Sequence, residues 1–229
     1  METYRRRIDN DRLMAWIGLS LAVFCVFAFA LKGVIEPERL SRYNPMVMIH
    51  GLLMMCWLAL FSLQSWLMSD GAFARHHLFG RLSIVLIILM IWSSTLIAIQ
   101  YTYDFQRTLL LSVNSMSWLR FVILYGVAIA CVFKGYTGLH RRLMLLCTII
   151  LVSPAVGRLT DAVNVSELYE LITGIAASIV LLVLFDLGSG GIRRSTLLLI
   201  LAAVLLEIVA LVFAVGFLQD ALAQIMLAV

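Results

Sequence analysis

Histidine is scarce in this sequence of 229 residues, and three of its four histidines lie in two short basic segments. The first segment reads FARHHLFGRLS over residues 73–83, and the second reads GLHRRLMLL over residues 138–146. Both segments lie beside long apolar runs, which places His76, His77 and His140 at one depth near one membrane face. Two imidazoles on different helices at one depth are what a b-type haem requires, one on each side of the iron.

The sequence therefore predicts His77 and His140 as ligands of a haem or metal ion, with His76 as a third cofactor-binding candidate. Arg81 and Arg141 lie beside these histidines and could pair with haem propionates or with lipid phosphates. The alternative is that histidines in a basic turn are solvated and bind no cofactor.

A second group of polar residues is predicted near the opposite face. Arg120 lies 14 residues, and Arg158 lies 16 residues, from the nearest basic residue at the inner end of its apolar run. At 1.5 Å per residue these stretches reach about 21–24 Å, less than the roughly 30 Å of a hydrocarbon core. Both arginines are therefore expected inside the outer leaflet, where arginine usually faces a partner or a wet cavity.

His50 and Asp161 are expected at a similar depth to these arginines. The four residues His50, Arg120, Arg158 and Asp161 predict one polar pocket that binds a quinone or an anion. The alternative is snorkelling, in which each arginine extends to the headgroups and binds no ligand.

Glu207 lies in the apolar segment LAAVLLEIVAL, 13 residues after Arg194 and near the middle of the last apolar run. An acidic side chain at this depth predicts either a proton-relay site or a neutral group that is hydrogen-bonded to a neighbouring helix. Gln64 is one candidate neighbour.

The composition predicts the class of protein. Hydrophobic residues make up 63% of the chain and charged residues 13%, against roughly 45–50% and about 25% in soluble domains. The apolar residues form seven runs, each near the roughly 20 residues needed to cross a bilayer. The predicted spans are 13–33, 45–68, 79–101, 113–133, 142–160, 166–186 and 195–217. Runs of this length indicate helices rather than barrel strands.

The predicted fold is an all-α bundle of about seven spans that forms a single transmembrane domain over residues 1–229. Histidine-bearing hairpins occupy 45–160, and a carboxy-terminal hairpin occupies 166–217. Eleven of the seventeen Lys and Arg residues fall on one side, which favours a cytoplasmic amino terminus and an external carboxyl terminus. The expected location is the bacterial inner membrane. The connection over 100–118 is predicted to be long, with room for a short interfacial helix.

Four short segments carry a resemblance to a group of uncharacterised bacterial polytopic membrane proteins. They read MIHGLL, HHLFGRLS, HRRLMLL and SPAVGRL, and they fall within residues 45–160. The resemblance implies that His50, His77, His140 and Arg158 act together, and it implies no settled activity. The histidines in transmembrane hairpins also give the chain a looser likeness to haem-binding cytochrome b-type bundles.

Two classes of function follow from these residues. The first is a redox or electron-transfer component that binds b-type haem, a metal or a quinone. The second is a non-enzymatic transporter, sensor or accessory subunit of a larger membrane complex. The expected partners are membrane lipids and other subunits of such a complex; no nucleic acid is expected, because basic residues here set orientation.

Overall fold

The computed structural model describes residues 2–37, 44–105, 108–162 and 167–218, together with residues 220 and 224. Within these ranges, side chains are described at every position except 2–8, 105, 110, 161–162, 167–171 and 217. The described chain is all helical, as predicted. Its helices are α1 (Glu2–Ile35), α2 (Pro45–Ser69), α3 (Phe73–Phe105), α4 (Thr108–Phe133), α5 (Thr137–Ala162), α6 (Glu167–Gly188) and α7 (Arg194–Phe213), followed by a π-helical turn (Ala214–Leu218).

Six of these helices are long and apolar enough to cross a membrane, and α6 contributes a shorter apolar segment over Ile172–Gly188. Large apolar side chains are exposed around the bundle: Phe133 is 87% exposed, Leu198 67% and Val209 63%. An apolar outer surface of this kind suits lipid rather than water. The chain therefore has the architecture of a multi-pass membrane protein.

Helix α5 is the central element of the bundle. It contacts α1, α2, α4, α6 and α7, and the remaining contacts link α1, α2, α3, α4, α7 and α6 into a ring in that order. The other helices enclose the segment of α5 around Leu145 and Cys147, and both side chains are 0% exposed. Residues on α5 are thus within reach of nearly every other helix.

Aromatic residues of α2 and α4 pack against this central helix. Trp57 is 2% exposed and donates its indole N–H to Thr148 Oγ1 on α5 at 3.3 Å. Its ring also meets Phe121 edge-on, with centroids 5.2 Å apart. Because the indole N–H is satisfied, this large side chain can be buried without an unpaired donor.

The turns of the α2–α3 and α4–α5 hairpins have the same backbone geometry. Gly71 and Gly135 hold positive φ angles of 70° and 77°, a conformation that glycine adopts without steric cost. The amide of the next residue returns to the end of the preceding helix in both turns: Ala72 N–H donates to Leu67 O, and Tyr136 N–H donates to Cys131 O, each at 2.8 Å. The two hairpins therefore place His76 and His140 at equivalent positions.

The prediction of a long connection between the third and fourth spans was wrong. Helix α3 continues to Phe105 and α4 begins at Thr108, so no separate interfacial helix forms in the described part of this segment. Polar residues here satisfy their hydroxyls within the helices: Thr102 donates to Ala98 O at 2.7 Å, and Ser112 donates to Thr108 O at 3.1 Å. This back-bonding lets Ser and Thr continue a helix in an apolar environment.

Two ends of the bundle can now be distinguished. The amino-terminal end holds the start of α1 and the turns of the α2–α3, α4–α5 and α6–α7 hairpins. The opposite end holds the end of α1 and the start of α2. Helix α5 runs without interruption through Pro154 between these ends.

Candidate functional site

A cavity of about 480 Å³ lies between α4, α5, α6 and α7, with Leu21 and Phe24 of α1 completing its wall. Its lining is mostly aliphatic, with side chains such as Leu146, Ile149 and Leu206. Six residues with polar side chains also line it: Arg120, Ser153, Thr160, Thr173, Ser178 and Glu207. The volume falls within the roughly 300–1,000 Å³ of small-molecule sites.

The charged residues of this cavity form an ion pair between α4 and α7. Arg120 Nη1 contacts Glu207 Oε2, and Arg120 Nη2 donates to Ser117 Oγ at 3.2 Å. The Nε of Arg120 is buried without a hydrogen-bond partner among the described residues. The Glu207 side chain is 25% exposed and that of Arg120 only 11%. The carboxylate is thus the more accessible half of the pair.

The sequence contained a signal for this pair that the prediction did not use. Arg120 lies 14 residues from Lys134, and Glu207 lies 13 residues from Arg194. At 1.5 Å per residue, both lie about 20 Å from the basic residues at the amino-terminal end. Because Arg120 and Glu207 lie at equal depth, they were candidate partners. The neighbour predicted for Glu207 was Gln64 instead.

His50 was expected in the same pocket as Arg120. It forms a hydrogen bond to helix α3 instead. Its Nδ1 lies 2.9 Å from Ser93 Oγ, and the Ser93 hydroxyl also donates to Met90 O at 3.1 Å. On the adjacent residue of α3, Ser94 Oγ donates to Asn114 Oδ1 of α4 at 2.7 Å. His50 and Asn114 are therefore held by neighbouring serines of one helix.

Arg158 packs against α1, with its guanidinium carbon 5.4 Å from the centroid of the Phe29 ring. This geometry is a cation–π contact. The described contacts of His50, Arg120 and Arg158 thus lead to three different helices rather than to one pocket. The side chain of Asp161 lies outside the described residues.

His76 and His140 form equivalent bonds to the preceding helix of their hairpins. His76 Nδ1 lies 3.3 Å from Gln64 O, and His140 Nδ1 lies 2.9 Å from Ala128 O. A carbonyl oxygen only accepts, so Nδ1 carries the proton in both rings and Nε2 of the neutral imidazole keeps its lone pair.

His77 differs from its neighbour, because it is exposed and meets His76 only edge-on with ring centroids 5.8 Å apart. Among the described residues, no group of three or more His, Cys, Asp or Glu side chains is placed to hold a metal ion. The arrangement at this end is thus a pair of oriented imidazoles, His76 and His140.

The two arginines predicted beside the histidines have different surroundings. Arg81 is exposed. Arg141 Nη2 lies 2.7 Å from Asp11 Oδ1 and donates to Oδ2 at 2.8 Å, which joins α5 to α1. Arg141 therefore stabilises the contact between these helices.

A buried polar cluster at the amino-terminal end was not predicted. Arg142 pairs with Asp186, which is 0% exposed, and Arg142 Nη1 also donates to Gly138 O at 2.7 Å. Asp186 further accepts from the Thr196 hydroxyl and from the Arg193 backbone N–H at 2.9 Å. The signal was an acidic residue inside the apolar run LLVLFDLG, opposite an arginine at the start of another run.

No comparison with known proteins suggests a function, so the function has to be inferred from these contacts. No protein-family model matches the chain, and neither a curated protein nor a solved structure shows significant similarity to it.

Proposed function

We propose that this protein binds a lipophilic molecule with a small polar head, such as a quinone, in the cavity between α4, α5, α6 and α7. Arg120 and Glu207 hold the polar head, and the aliphatic walls hold the apolar part. The proposal includes seven spans, a cytoplasmic amino terminus and residence in a bacterial inner membrane, in keeping with the distribution of Lys and Arg.

The observation that carries this proposal is an ion pair on the wall of an otherwise aliphatic cavity. Removing two charges from water costs several kcal/mol per ion, which their attraction repays only when the remaining hydrogen bonds are satisfied. Here Arg120 Nε has no acceptor among the described residues. Ionisable residues inside membrane helices usually mark ligand or proton pathways.

The pair also determines which head group fits. Glu207 accepts hydrogen bonds, so a quinol hydroxyl would donate to it, and a quinone carbonyl would accept from the guanidinium of Arg120. A neutral head with both kinds of group leaves the charge balance of the pair unchanged. An acyl chain alone would fill the cavity without using either residue.

The test is ligand binding to the full chain in lipid nanodiscs, with a short-chain benzoquinone as the probe. The double variant Arg120→Met/Glu207→Leu removes both charges at similar volume and should weaken binding about tenfold to 100-fold, the value of one or two bonds to charged groups. Arg158→Met removes a charge away from the cavity and should bind as the wild type does. Unchanged binding in the double variant would refute the proposal.

A second candidate function rests on the imidazole pair. We infer that His76 and His140 could hold a b-type haem or a metal ion, because each Nδ1–H is fixed by a backbone carbonyl. Ligating histidines usually have their second nitrogen oriented in this way. A haem bound here would supply one-electron redox chemistry, and His76 and His140 would provide its axial nitrogens.

Adjacent histidines provide a matched control for this second candidate. Absorbance spectra and metal analysis of protein extracted from its native membrane should show a Soret band or a bound metal. The signal should disappear in His76→Ala and His140→Ala and persist in His77→Ala. A colourless, metal-free preparation would refute this second candidate and leave the first, a binder of a lipophilic molecule in the cavity between α4, α5, α6 and α7.

A further inference from the structure

A second, smaller cavity of about 210 Å³ lies at the amino-terminal end of the bundle. It is bounded by the start of α1, the start of α5, the end of α6 and the turn before α7. Its lining residues are Asn10, Thr137, Gly138, Arg141, Arg142, Phe185, Ser189 and Arg193. Three of these are arginines and none is acidic, so the described wall of the cavity is strongly basic.

Two of the three arginine charges are already balanced. Arg142 is paired with Asp186, and Arg141 is paired with Asp11. The Arg193 side chain is exposed, and within the described ranges its guanidinium forms no ion pair. The cavity therefore carries about one uncompensated positive charge, which matches a ligand with a single negative charge.

Buried polar atoms on the same wall lack partners. Ser189 is 2% exposed, and its Oγ has no hydrogen-bond partner among the described residues; the same is true of Asn10 Oδ1. A buried polar group without a partner costs about 1–3 kcal/mol, and a bound ligand would remove that cost. The Ser189 hydroxyl can donate to an anion, and Asn10 Oδ1 can accept from a ligand hydroxyl.

We propose that this cavity binds a singly charged phosphate group, with Arg193 and Ser189 as its main contacts. The cavity lies at the helix ends, where lipid headgroups lie, and the positive-inside pattern puts this end in the cytoplasmic leaflet, which carries anionic lipids. A phosphodiester headgroup with a free hydroxyl, as in phosphatidylglycerol, would use Arg193, Ser189 and Asn10 together. Free inorganic phosphate offers the same anionic chemistry from solution.

The experiment uses the full chain in nanodiscs of phosphatidylcholine with increasing fractions of phosphatidylglycerol. The readouts are the thermal unfolding midpoint and the anionic lipid retained in native mass spectra. Phosphatidylglycerol should raise the midpoint of the wild type. Arg193→Gln and Ser189→Ala should each need about fivefold more of it for the same shift, since one basic contact near a headgroup and one hydrogen bond are each worth about that factor.

Arg75→Gln is the matched control, because Arg75 is an exposed arginine at the same end that does not line the cavity. It should behave as the wild type does. Midpoints at or above the wild-type value in phosphatidylcholine alone show that the variants fold, and Ser189→Ala tests the site should Arg193→Gln fail this criterion.

A second arm adds inorganic phosphate to nanodiscs of phosphatidylcholine alone. A stabilisation that Arg193→Gln abolishes would identify soluble phosphate as the source and retain the site. The proposal is overturned when neither phosphatidylglycerol nor phosphate shifts the wild-type midpoint. It is equally overturned when Arg75→Gln weakens the effect as much as Arg193→Gln does, since general surface charge would then explain the binding.

Discussion

Two interhelical ion pairs of the bundle differ in their surroundings. At the amino-terminal end, Arg142 and Asp186 are enclosed, and the carboxylate also accepts from the Thr196 hydroxyl and the Arg193 backbone N–H. Between α4 and α7, Arg120 and Glu207 face a cavity of about 480 Å³, and Arg120 Nε has no partner among the described residues. The first pair has three further hydrogen-bond partners, counting Gly138 O, whereas the second leaves the Arg120 Nε–H without an acceptor among the described residues.

This difference separates a structural role from a binding role. A fully hydrogen-bonded buried network rigidifies the helices that it joins. Removing one member leaves its partners buried without a hydrogen bond. Helices α5, α6 and α7 meet at Arg142 and Asp186, so that pair fixes how they pack. An incompletely satisfied pair that borders a cavity adds less to packing, and its unused bonds are available to a ligand.

The largest effect is expected for Asp186→Asn. The substitution leaves Arg142 buried without a counter-charge, which typically costs about 3–5 kcal/mol. Denaturant or thermal unfolding in nanodiscs should therefore show a strongly destabilised or unfolded protein. Asp9→Asn, at an exposed position on the same end, should remain within about 0.5 kcal/mol of the wild type. Equal stability of the two variants would mean that the enclosed pair does not hold α6 in place.

A smaller effect is expected at the pair that borders the cavity. Arg120→Met or Glu207→Leu alone leaves one unpaired charge beside the cavity and should cost about 1–3 kcal/mol. The double variant should recover most of this loss, because replacing a whole buried pair by apolar residues is often neutral or stabilising. A double-mutant cycle of unfolding free energies measures the coupling. Losses that simply add would show that the residues are independent.

The architecture was more predictable from the sequence than the site was. Apolar runs predict helices because a bilayer leaves the backbone few alternatives, and the runs around Trp57 and Leu145 form helices as predicted. Partners were harder to predict, because depth can be counted along a helix but the rotation of its faces cannot. Arg120 and Glu207 were both predicted as site residues, and their depths agreed. Only the packing of α4 against α7 shows that the two are partners.

Adjacent polar residues illustrate the same difficulty. Depth does not distinguish His76 from His77, and only the helix rotation turns His76 toward Gln64 O and leaves His77 exposed. Asp186 was missed because one acidic residue near the end of an apolar run resembles an ordinary helix terminus. Its role depends on Arg142, which is 44 positions earlier in the chain.

The smallest effect is expected at a third ion pair, which joins α5 to α1 at the amino-terminal end of the bundle. Arg141 contacts both carboxylate oxygens of Asp11, with exposed side-chain fractions of 14% and 5%. Arg141 also lines the smaller cavity at the helix ends, where water can replace a lost hydrogen bond, so breaking this pair leaves no partner wholly unsatisfied. Arg141→Gln should therefore destabilise the protein by about 1 kcal/mol, clearly less than Asp186→Asn, when unfolding is followed under the same conditions. Arg12→Gln, at an exposed position on α1, controls for the change in net charge. A loss at Arg141 as large as that at Asp186 would show that enclosure does not determine how much these pairs contribute, and the contrast between the saturated pair and the cavity pair would then need another cause.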